Sequence, residues 1–201
     1  MTIRVMIVED QGMVRGALAA LLRLEHDLDV VAECADAESA LDQLAAAAPD
    51  IILIDIGLPG ISGIDAVRQM RALVPARCIV LTTYGRPGYL RAALDAGAVG
   101  FLVKDAPASQ LSQSIRQVHA GGRAIDPDLA MEALTLGANP LTPRQRDVLR
   151  LTLLGRSVAD IARELALTEG TIRNYLSEAM TEIGAANRFD AARVAESRGW
   201  V

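Results

Sequence analysis

The sequence predicts a doubly wound α/β domain followed by a small all-α domain of four helices. Up to about residue 121, short apolar runs alternate with amphipathic helical patterns, an alternation typical of a parallel sheet covered by helices on both faces. Beyond residue 138 the apolar residues recur at helical spacing only. The length of 201 residues is sufficient for two small domains.

The first domain is predicted to contain five buried strands, each nearly continuous in Val, Ile and Leu. These are Ile3–Val8, Leu28–Cys34, Ile51–Asp55, Cys78–Thr82 and Gly100–Val103. Helical patterns separate them, and the last helix carries Leu111, Ile115 and Val118 and ends near Gly121. We expect a five-stranded parallel sheet in the order 2-1-3-4-5, within a domain over residues 1–121.

A linker is predicted over residues 122–138, because this stretch lacks a long period and contains Pro127 and Gly137. One short helix is expected inside it, at Leu129–Leu134. The second domain is expected over residues 139–201, and its four helices are marked by residues that favour the N-cap position. These residues are Thr142, Ser157, Thr168 and Asn187. The buried face of the third helix is predicted to consist of Ile172, Leu176, Met180 and Ile183.

The composition excludes several classes of protein. Hydrophobic residues make up 51% and charged residues 22%, as in ordinary globular chains, which argues against a disordered protein. The apolar runs are far shorter than the roughly 18 residues of a membrane span, and the start of the chain lacks a signal-peptide pattern. We therefore expect a cytoplasmic protein that does not insert into membranes, with Cys34 and Cys78 as buried thiols.

The charges are unevenly distributed along the chain. Up to residue 140 there are 11 basic and 17 acidic side chains, whereas from residue 141 there are 9 basic and 8 acidic ones. A change of sign between two domains directs the search for a nucleic-acid partner to the second domain.

Three carboxylates are predicted to meet at the carboxyl edge of the sheet. Glu9 and Asp10 follow the first strand, and Asp55 ends the strand expected beside it. Two carboxylates about 4 Å apart repel by roughly 4 kcal/mol at an effective dielectric constant near 20, so the cluster requires a cation. Mg²⁺ prefers oxygen ligands, which these carboxylates and the carbonyl group of Gly57 would provide.

Two further polar side chains end strands at the same edge. Thr82 adds a hydroxyl group and Lys104 an ammonium group, and Lys104 is the single lysine among 20 basic residues. Carboxylates, a hydroxyl and a compact cation together predict a site for a phosphoryl group. Each residue alone has a simpler explanation: Asp10 could cap the helix that begins near Gly12, and Thr82 could be an ordinary strand residue.

Several segments resemble known bacterial regulators. The runs Val8–Asp10, Asp55–Gly60, Leu81-Thr82 and Gly100–Lys104 resemble the receiver domain of two-component response regulators. The segments Leu141–Arg144, Thr171–Tyr175 and Asn187-Arg188 resemble a LuxR-type helix-turn-helix domain. Together they identify the chain as a member of the NarL/FixJ family, and Thr83–Tyr89 and Asn139–Thr142 are similar to its DesR-like branch.

The resemblance implies a flavodoxin-like receiver fold and a role for each residue at the edge of the sheet. Asp55 would accept a phosphoryl group from a sensor histidine kinase, which the DesR-like branch suggests is membrane-bound. Mg²⁺ would be held by Glu9, Asp10, Asp55 and Gly57. Thr82 and Lys104 would contact the phosphoryl group.

The resemblance also implies a switch and an output. Thr82 would turn toward the phosphoryl group, and Phe101 would follow it into the space released. The changed surface would favour a homodimer that binds double-stranded promoter DNA, in a transcriptional regulator and not an enzyme. The phosphorylation adds about −1.5 to −2 charge at one point, and nearby donors reorganise to meet it.

The third helix of the second domain would be the recognition helix in the major groove. Its outward residues are predicted to be Glu169, Gly170, Thr171, Arg173, Asn174 and Ser177. Arginine commonly reads guanine and asparagine reads adenine. The sequence departs from the family pattern at Gln145 and Asp147, where glutamates are usual, and at Glu182, where a lysine is common.

Four alternatives follow from the same residues. A phosphatase with an aspartyl nucleophile would need a second aspartate at position 57, where this sequence has Gly57. A dinucleotide enzyme would need a G-x-G-x-x-G turn after the first strand, and the residues that follow Val8 do not form one. A regulator that binds DNA without phosphorylation is a further alternative, against which the intact acid cluster argues. The four-helix domain could also bind proteins, given its small positive charge.

Overall fold

The computed structural model describes residues 2–83, 85–135 and 139–201. Tyr84 of the DesR-like segment and residues 136–138 of the predicted linker therefore lie outside the described residues. The chain forms two compact units, one from most of the residues up to Met131 and the other from most of the residues beyond it.

The first unit is built on a parallel sheet with the order β2-β1-β3-β4-β5-β6. Its strands are β1 Ile3–Val8, β2 Leu28–Cys34, β3 Ile51–Asp55, β4 Arg77–Thr82, β5 Gly100–Val103 and β6 Ala124–Ile125. The predicted order 2-1-3-4-5 is confirmed. Strand β6, which pairs with β5 through Ala124 and Ile125, lies in the predicted linker and is too short to give a period-2 signal in the sequence.

Helices connect the strands and continue into the second unit. They are α1 Gly12–Arg23, α2 Ala37–Ala47, α3 Gly63–Leu73, α4 Pro87–Ala96, α5 Ala108–His119, α6 Pro127–Thr135, α7 Pro143–Leu153, α8 Val158–Glu164, α9 Glu169–Ile183 and α10 Arg188–Ser197. The short helix predicted at Leu129–Leu134 is present, but it begins at Pro127, where the fixed φ of proline suits the first helical position.

The core of the first unit lies between the sheet and its helices. All five residues of β3 are buried, as expected for a central strand that is covered on both faces. Leu22 of α1 and Ile115 of α5 are fully buried against one face of the sheet. A rigid central strand thus carries Asp55 at its carboxyl end. Cys34 and Cys78 are free and buried, as predicted.

The second unit begins each of its four helices with the predicted N-cap. The side chains of Thr142, Ser157, Thr168 and Asn187 each accept a hydrogen bond from a backbone N–H of the first turn. Ile172 and Leu176 of α9 are buried, but Ala179 takes the third core position, and Met180 and Ile183 are only partly buried. None of the helices in the described part of the chain combines the length and the apolar character that a membrane span requires.

Candidate functional site

Four neighbouring strands bring the predicted polar residues to one edge of the first unit. Asp55 is the last residue of β3 and Thr82 the last of β4, while Glu9 and Lys104 directly follow β1 and β5. Because β3 pairs with β4 in a register that sets Asp55 beside Leu81, Thr82 lies one residue further along the same edge. The carboxyl edge of the sheet therefore collects the polar groups, as the sequence predicts.

The three predicted carboxylates form one cluster. Glu9, Asp10 and Asp55 each offer a carboxylate oxygen, and these oxygens lie within 4.8 Å of one another. Glu9 is 0% exposed and Asp55 5% exposed, whereas Asp10 is open to solvent. Two of the acids are thus buried, and a charge costs most free energy in a buried position. The third acid is accessible to solvent.

Lys104 supplies the cation that the buried acids require. Its Nζ lies 2.7 Å from Oε2 of Glu9 and 3.0 Å from Oδ1 of Asp55. Burial raises the pKa of Glu9 above its ordinary value, although the ion pair with Lys104 acts in the opposite direction. For Lys104, burial lowers the pKa, but the contacts with Glu9 and Asp55 outweigh it and raise the pKa above the ordinary value. The ammonium group therefore stays charged between the two carboxylates.

The loop between β1 and α1 is held by contacts of Glu9 itself. Its backbone N–H donates to the carbonyl of Cys34 in β2 at 3.0 Å, and its Oε1 accepts the N–H of Gln11 at 3.3 Å. The N-cap of α1 is Gln11, which makes no side-chain capping bond. The alternative that Asp10 merely caps this helix is therefore wrong, and its carboxylate is available to the cluster.

Two glycines shape the surroundings of Asp55. A Cβ on Gly57 would lie 3.5 Å from Oδ2 of Asp55, in van der Waals contact, so glycine keeps side-chain atoms away from this carboxylate oxygen. A Cβ on Gly63 would come within 2.0 Å of the backbone carbonyl of Asp55, so α3 can begin there only with glycine. Gly63 was not predicted as a site residue, and its position directly after the N-cap Ser62 is the signal that could have revealed it.

The two predicted switch residues are both buried. Thr82 and Phe101 are each 2% exposed, and the carbonyl of Thr82 accepts the backbone N–H of Lys104 at 2.8 Å. The ring of Phe101 therefore lies inside the domain in this structure. The switch roles of Thr82 and Phe101 stay predictions.

The second unit presents the outward face predicted for α9. Glu169, Gly170, Arg173, Asn174 and Ser177 are exposed, whereas Thr171 is half-buried. Nη2 of Arg173 lies 2.5 Å from Oε2 of Glu169, one turn earlier on the helix. The only basic side chain of α9 is thus paired with an acid of the same face.

The departure at Gln145 has a structural explanation. Gln145 completes a capping box with Thr142, and its Nε2 donates to Oε2 of Glu178 in α9 at 3.2 Å. A glutamate at this position would place a second carboxylate against Glu178. The amide therefore satisfies the cap of α7 and also links α7 to α9.

Comparisons with known proteins agree with both units. Residues 5–116 match the family described as response regulator receiver domain, and residues 139–195 match bacterial regulatory proteins of the luxR family. The chain is 40% identical over 200 residues to the uncharacterized transcriptional regulatory protein YvfU of Bacillus subtilis (strain 168), covering 99% of this chain and 100% of that protein. It is 39% identical to the transcriptional regulatory protein DesR of the same organism over 198 residues, 98% of each chain.

A solved structure extends the agreement to the fold. The crystal structure of the response regulator ChrA from a heme-sensing two-component system is 30% identical to this chain, with a TM-score of 0.58. The similarity covers 100% of this chain and 99% of that one.

Proposed function

The chain belongs to the two-component response regulators that join a receiver domain to a LuxR-type DNA-binding domain, and we propose that phosphorylation of Asp55 controls its binding to promoter DNA. The observation that carries the proposal is the convergence of Asp55, Glu9, Asp10 and Lys104 at one edge of the sheet. The proposal places the receiver at residues 1–121, the linker at 122–138 and the DNA-binding domain at 139–201.

Asp55 is the phosphoacceptor in this proposal. Its Oδ1 is held by Lys104 at 3.0 Å, and we assign Oδ2, which lies beside Gly57, as the attacking oxygen. The new bond joins this oxygen to phosphorus, while the bond from phosphorus to a histidine nitrogen of the sensor kinase breaks. Lys104 stays close enough to balance the charge that the phosphoryl oxygens add.

The acid cluster fits a Mg²⁺ ion. Opposite oxygens around octahedral Mg²⁺ lie about 4 Å apart, and the oxygens of Glu9, Asp10 and Asp55, which lie within 4.8 Å of one another, need to close by less than about 1 Å to bind it. We assign these residues, with the carbonyl of Gly57, as the groups that hold the ion. When bound, Mg²⁺ neutralises the charge of the carboxylates and the incoming phosphoryl oxygens.

Thr82 and Phe101 transmit the change in this proposal. The hydroxyl of Thr82 lies at the end of the strand beside Asp55 and donates to a phosphoryl oxygen after transfer. Because Phe101 is 2% exposed before any phosphorylation, the movement of Thr82 changes the packing around the ring and so the outer surface of the receiver. That surface then favours a homodimer.

The output is the binding of paired DNA half-sites by two copies of α9. Arg173 and Asn174 are exposed on its first two turns and are the residues we assign to base edges, with Glu169, Gly170, Thr171 and Ser177 beside them. Of the charged residues in α9, three are glutamates and one is Arg173. A recognition helix of this charge binds one half-site weakly, which makes dimerisation decisive.

Sedimentation with a phosphoryl mimic tests the proposal. The wild type and Asp55→Ala are compared with Mg²⁺, in the presence and absence of beryllofluoride. A shift from monomer to dimer in the wild type alone supports the proposal. If neither protein shifts, dimerisation does not depend on Asp55, and the alternative of a regulator that binds DNA without phosphorylation takes its place.

A further inference from the structure

Arg15 contacts the backbone that carries two of the three acids. From the first turn of α1, its Nη1 donates to the carbonyl of Glu9 at 2.5 Å and reaches the carbonyl of Asp10 at 3.5 Å. Its own backbone N–H donates to the carbonyl of Gln11 at 2.9 Å. The side chain therefore folds back over the loop from which the carboxylates of Glu9 and Asp10 project.

The contacts of Arg15 differ in kind from those of Lys104. Lys104 occupies carboxylate oxygens of Glu9 and Asp55, which are the atoms that a divalent cation needs. Arg15 reaches the same part of the site through backbone carbonyls only. It can therefore fix the loop without itself occupying a carboxylate oxygen that could serve as a ligand.

The backbone of Glu9 is fixed on both sides as a result. Its N–H donates to the carbonyl of Cys34 in β2, and its carbonyl accepts from Arg15. Without Arg15, the bonds of Glu9 to Cys34 and Gln11 would remain, but the turn that directs Asp10 into the cluster would lose its contacts with a side chain of α1. Asp10 is the exposed member of the cluster, so its position depends most on this anchor.

We propose that Arg15 is a positioning residue of the phosphorylation site, which fixes the loop of Glu9 and Asp10 and thereby sets the affinity of the site for Mg²⁺. The inference rests on the proposed function, because it assumes that the cluster binds Mg²⁺. Groups that orient metal ligands from behind typically change metal affinity by about 10- to 100-fold when they are removed.

Charge alone predicts the opposite effect. A guanidinium near the cluster repels a divalent cation, so a purely electrostatic role means that removing Arg15 strengthens Mg²⁺ binding. A positioning role means that removal weakens it. The direction of the change in Mg²⁺ affinity therefore distinguishes the two roles, whereas a change in thermal stability would not distinguish them.

Calorimetric titration of the full chain with Mg²⁺ tests the proposal in Arg15→Ala, Arg15→Lys and Arg15→Gln. Arg4→Ala is the matched control, because Arg4 also donates to backbone carbonyls, those of Ala47 and Ala48 at 2.7 and 3.1 Å, but from the amino-terminal part of β1. We expect Arg15→Ala to bind Mg²⁺ about 10-fold more weakly, Arg15→Lys to recover most of the affinity, and Arg4→Ala to bind as the wild type does.

Each outcome decides one question. Unchanged or tighter binding in Arg15→Ala overturns the inference, while absence of Mg²⁺ binding by the wild type overturns the proposed function itself. If Arg15→Ala does not fold, the comparison of Arg15→Lys with Arg15→Gln decides. Tighter Mg²⁺ binding by Arg15→Lys than by Arg15→Gln supports a positioning role, and equal or weaker Mg²⁺ binding by Arg15→Lys contradicts it. A loss of affinity in Arg4→Ala equal to that in Arg15→Ala would also contradict it.

Discussion

Replacing Lys104 by methionine removes the cation that balances two buried carboxylates. At contact distances of 2.7 and 3.0 Å, the gross attraction to each carboxylate is about 6 kcal/mol at an effective dielectric constant near 20. The net effect is smaller, since burial of the ammonium also costs free energy. Breaking a buried pair typically costs about 3–5 kcal/mol, and because Lys104 is 15% exposed we expect a loss of about 3 kcal/mol.

Urea unfolding at neutral pH, followed by circular dichroism, measures this loss. Without Mg²⁺, Lys104→Met is expected to be less stable than the wild type, and Lys104→Arg, which keeps the charge, is expected to lose less. Added Mg²⁺ should stabilise the methionine variant more than the wild type, because the ion then meets carboxylates with no competing ammonium group. A free Mg²⁺ concentration of 100 times the dissociation constant raises the free energy of unfolding by about 2.7 kcal/mol.

Two results would refute this reasoning. If Lys104→Met is as stable as the wild type without Mg²⁺, the ammonium group does not balance Glu9 and Asp55. If Mg²⁺ stabilises the wild type more than the variant, Lys104 assists the ion and does not compete with it for carboxylate oxygens.

Three further substitutions test other parts of the molecule. Arg173→Ala is expected to relax the sequence preference for DNA at one base pair per half-site, because a good contact to a base edge contributes about 1–3 kcal/mol of discrimination. If a selection from random DNA gives the same consensus for the variant and the wild type, Arg173 does not contact a base edge. The guanidinium of Arg116 holds the pKa of Asp27 down at about 2, so the stability that Asp27 contributes is present above its unfolded pKa of about 3.9 and is lost as the pH falls from there toward 2. Asp27→Asn should therefore remove that part of the acid dependence, and an acid unfolding curve parallel to that of the wild type would contradict it. Gln145→Glu is expected to lose about 1–3 kcal/mol in urea unfolding, since it sets a carboxylate against Glu178, and wild-type stability would show that the amide bond is dispensable.

Much of the fold could be predicted because its signals are local. The strands of the sheet are continuous apolar runs, and the four helices of the second unit begin at N-cap residues that act on their own first turn. Strand β6 has two residues, and its position depends on pairing with β5 and not on its own sequence. Met180 was predicted to be buried in α9, but Ala179 is buried and Met180 is only partly buried. The packing of the helix, and not the size of a side chain, determines which position faces inward.

The candidate site was predictable where strand ends determine it. Asp55, Thr82, Glu9 and Lys104 each stand at the end of a strand, so the order of the sheet alone brings them together. Arg15 was not predictable in this way, since its role depends on a side chain that folds back onto the carbonyl of Glu9. A bond from a side chain to the backbone leaves no periodic or charge pattern in the sequence.

Intact-mass measurement of phosphorylation tests the central claim most directly. The wild type and Asp55→Asn are incubated with a small acyl phosphate as donor, with Mg²⁺ and with a chelator in its place. We predict that the wild type gains one phosphoryl group only with Mg²⁺ and that Asp55→Asn gains none. Equal phosphorylation of Asp55→Asn, or of the wild type in the chelator, would contradict the assignment of Asp55 and its acid cluster as the site.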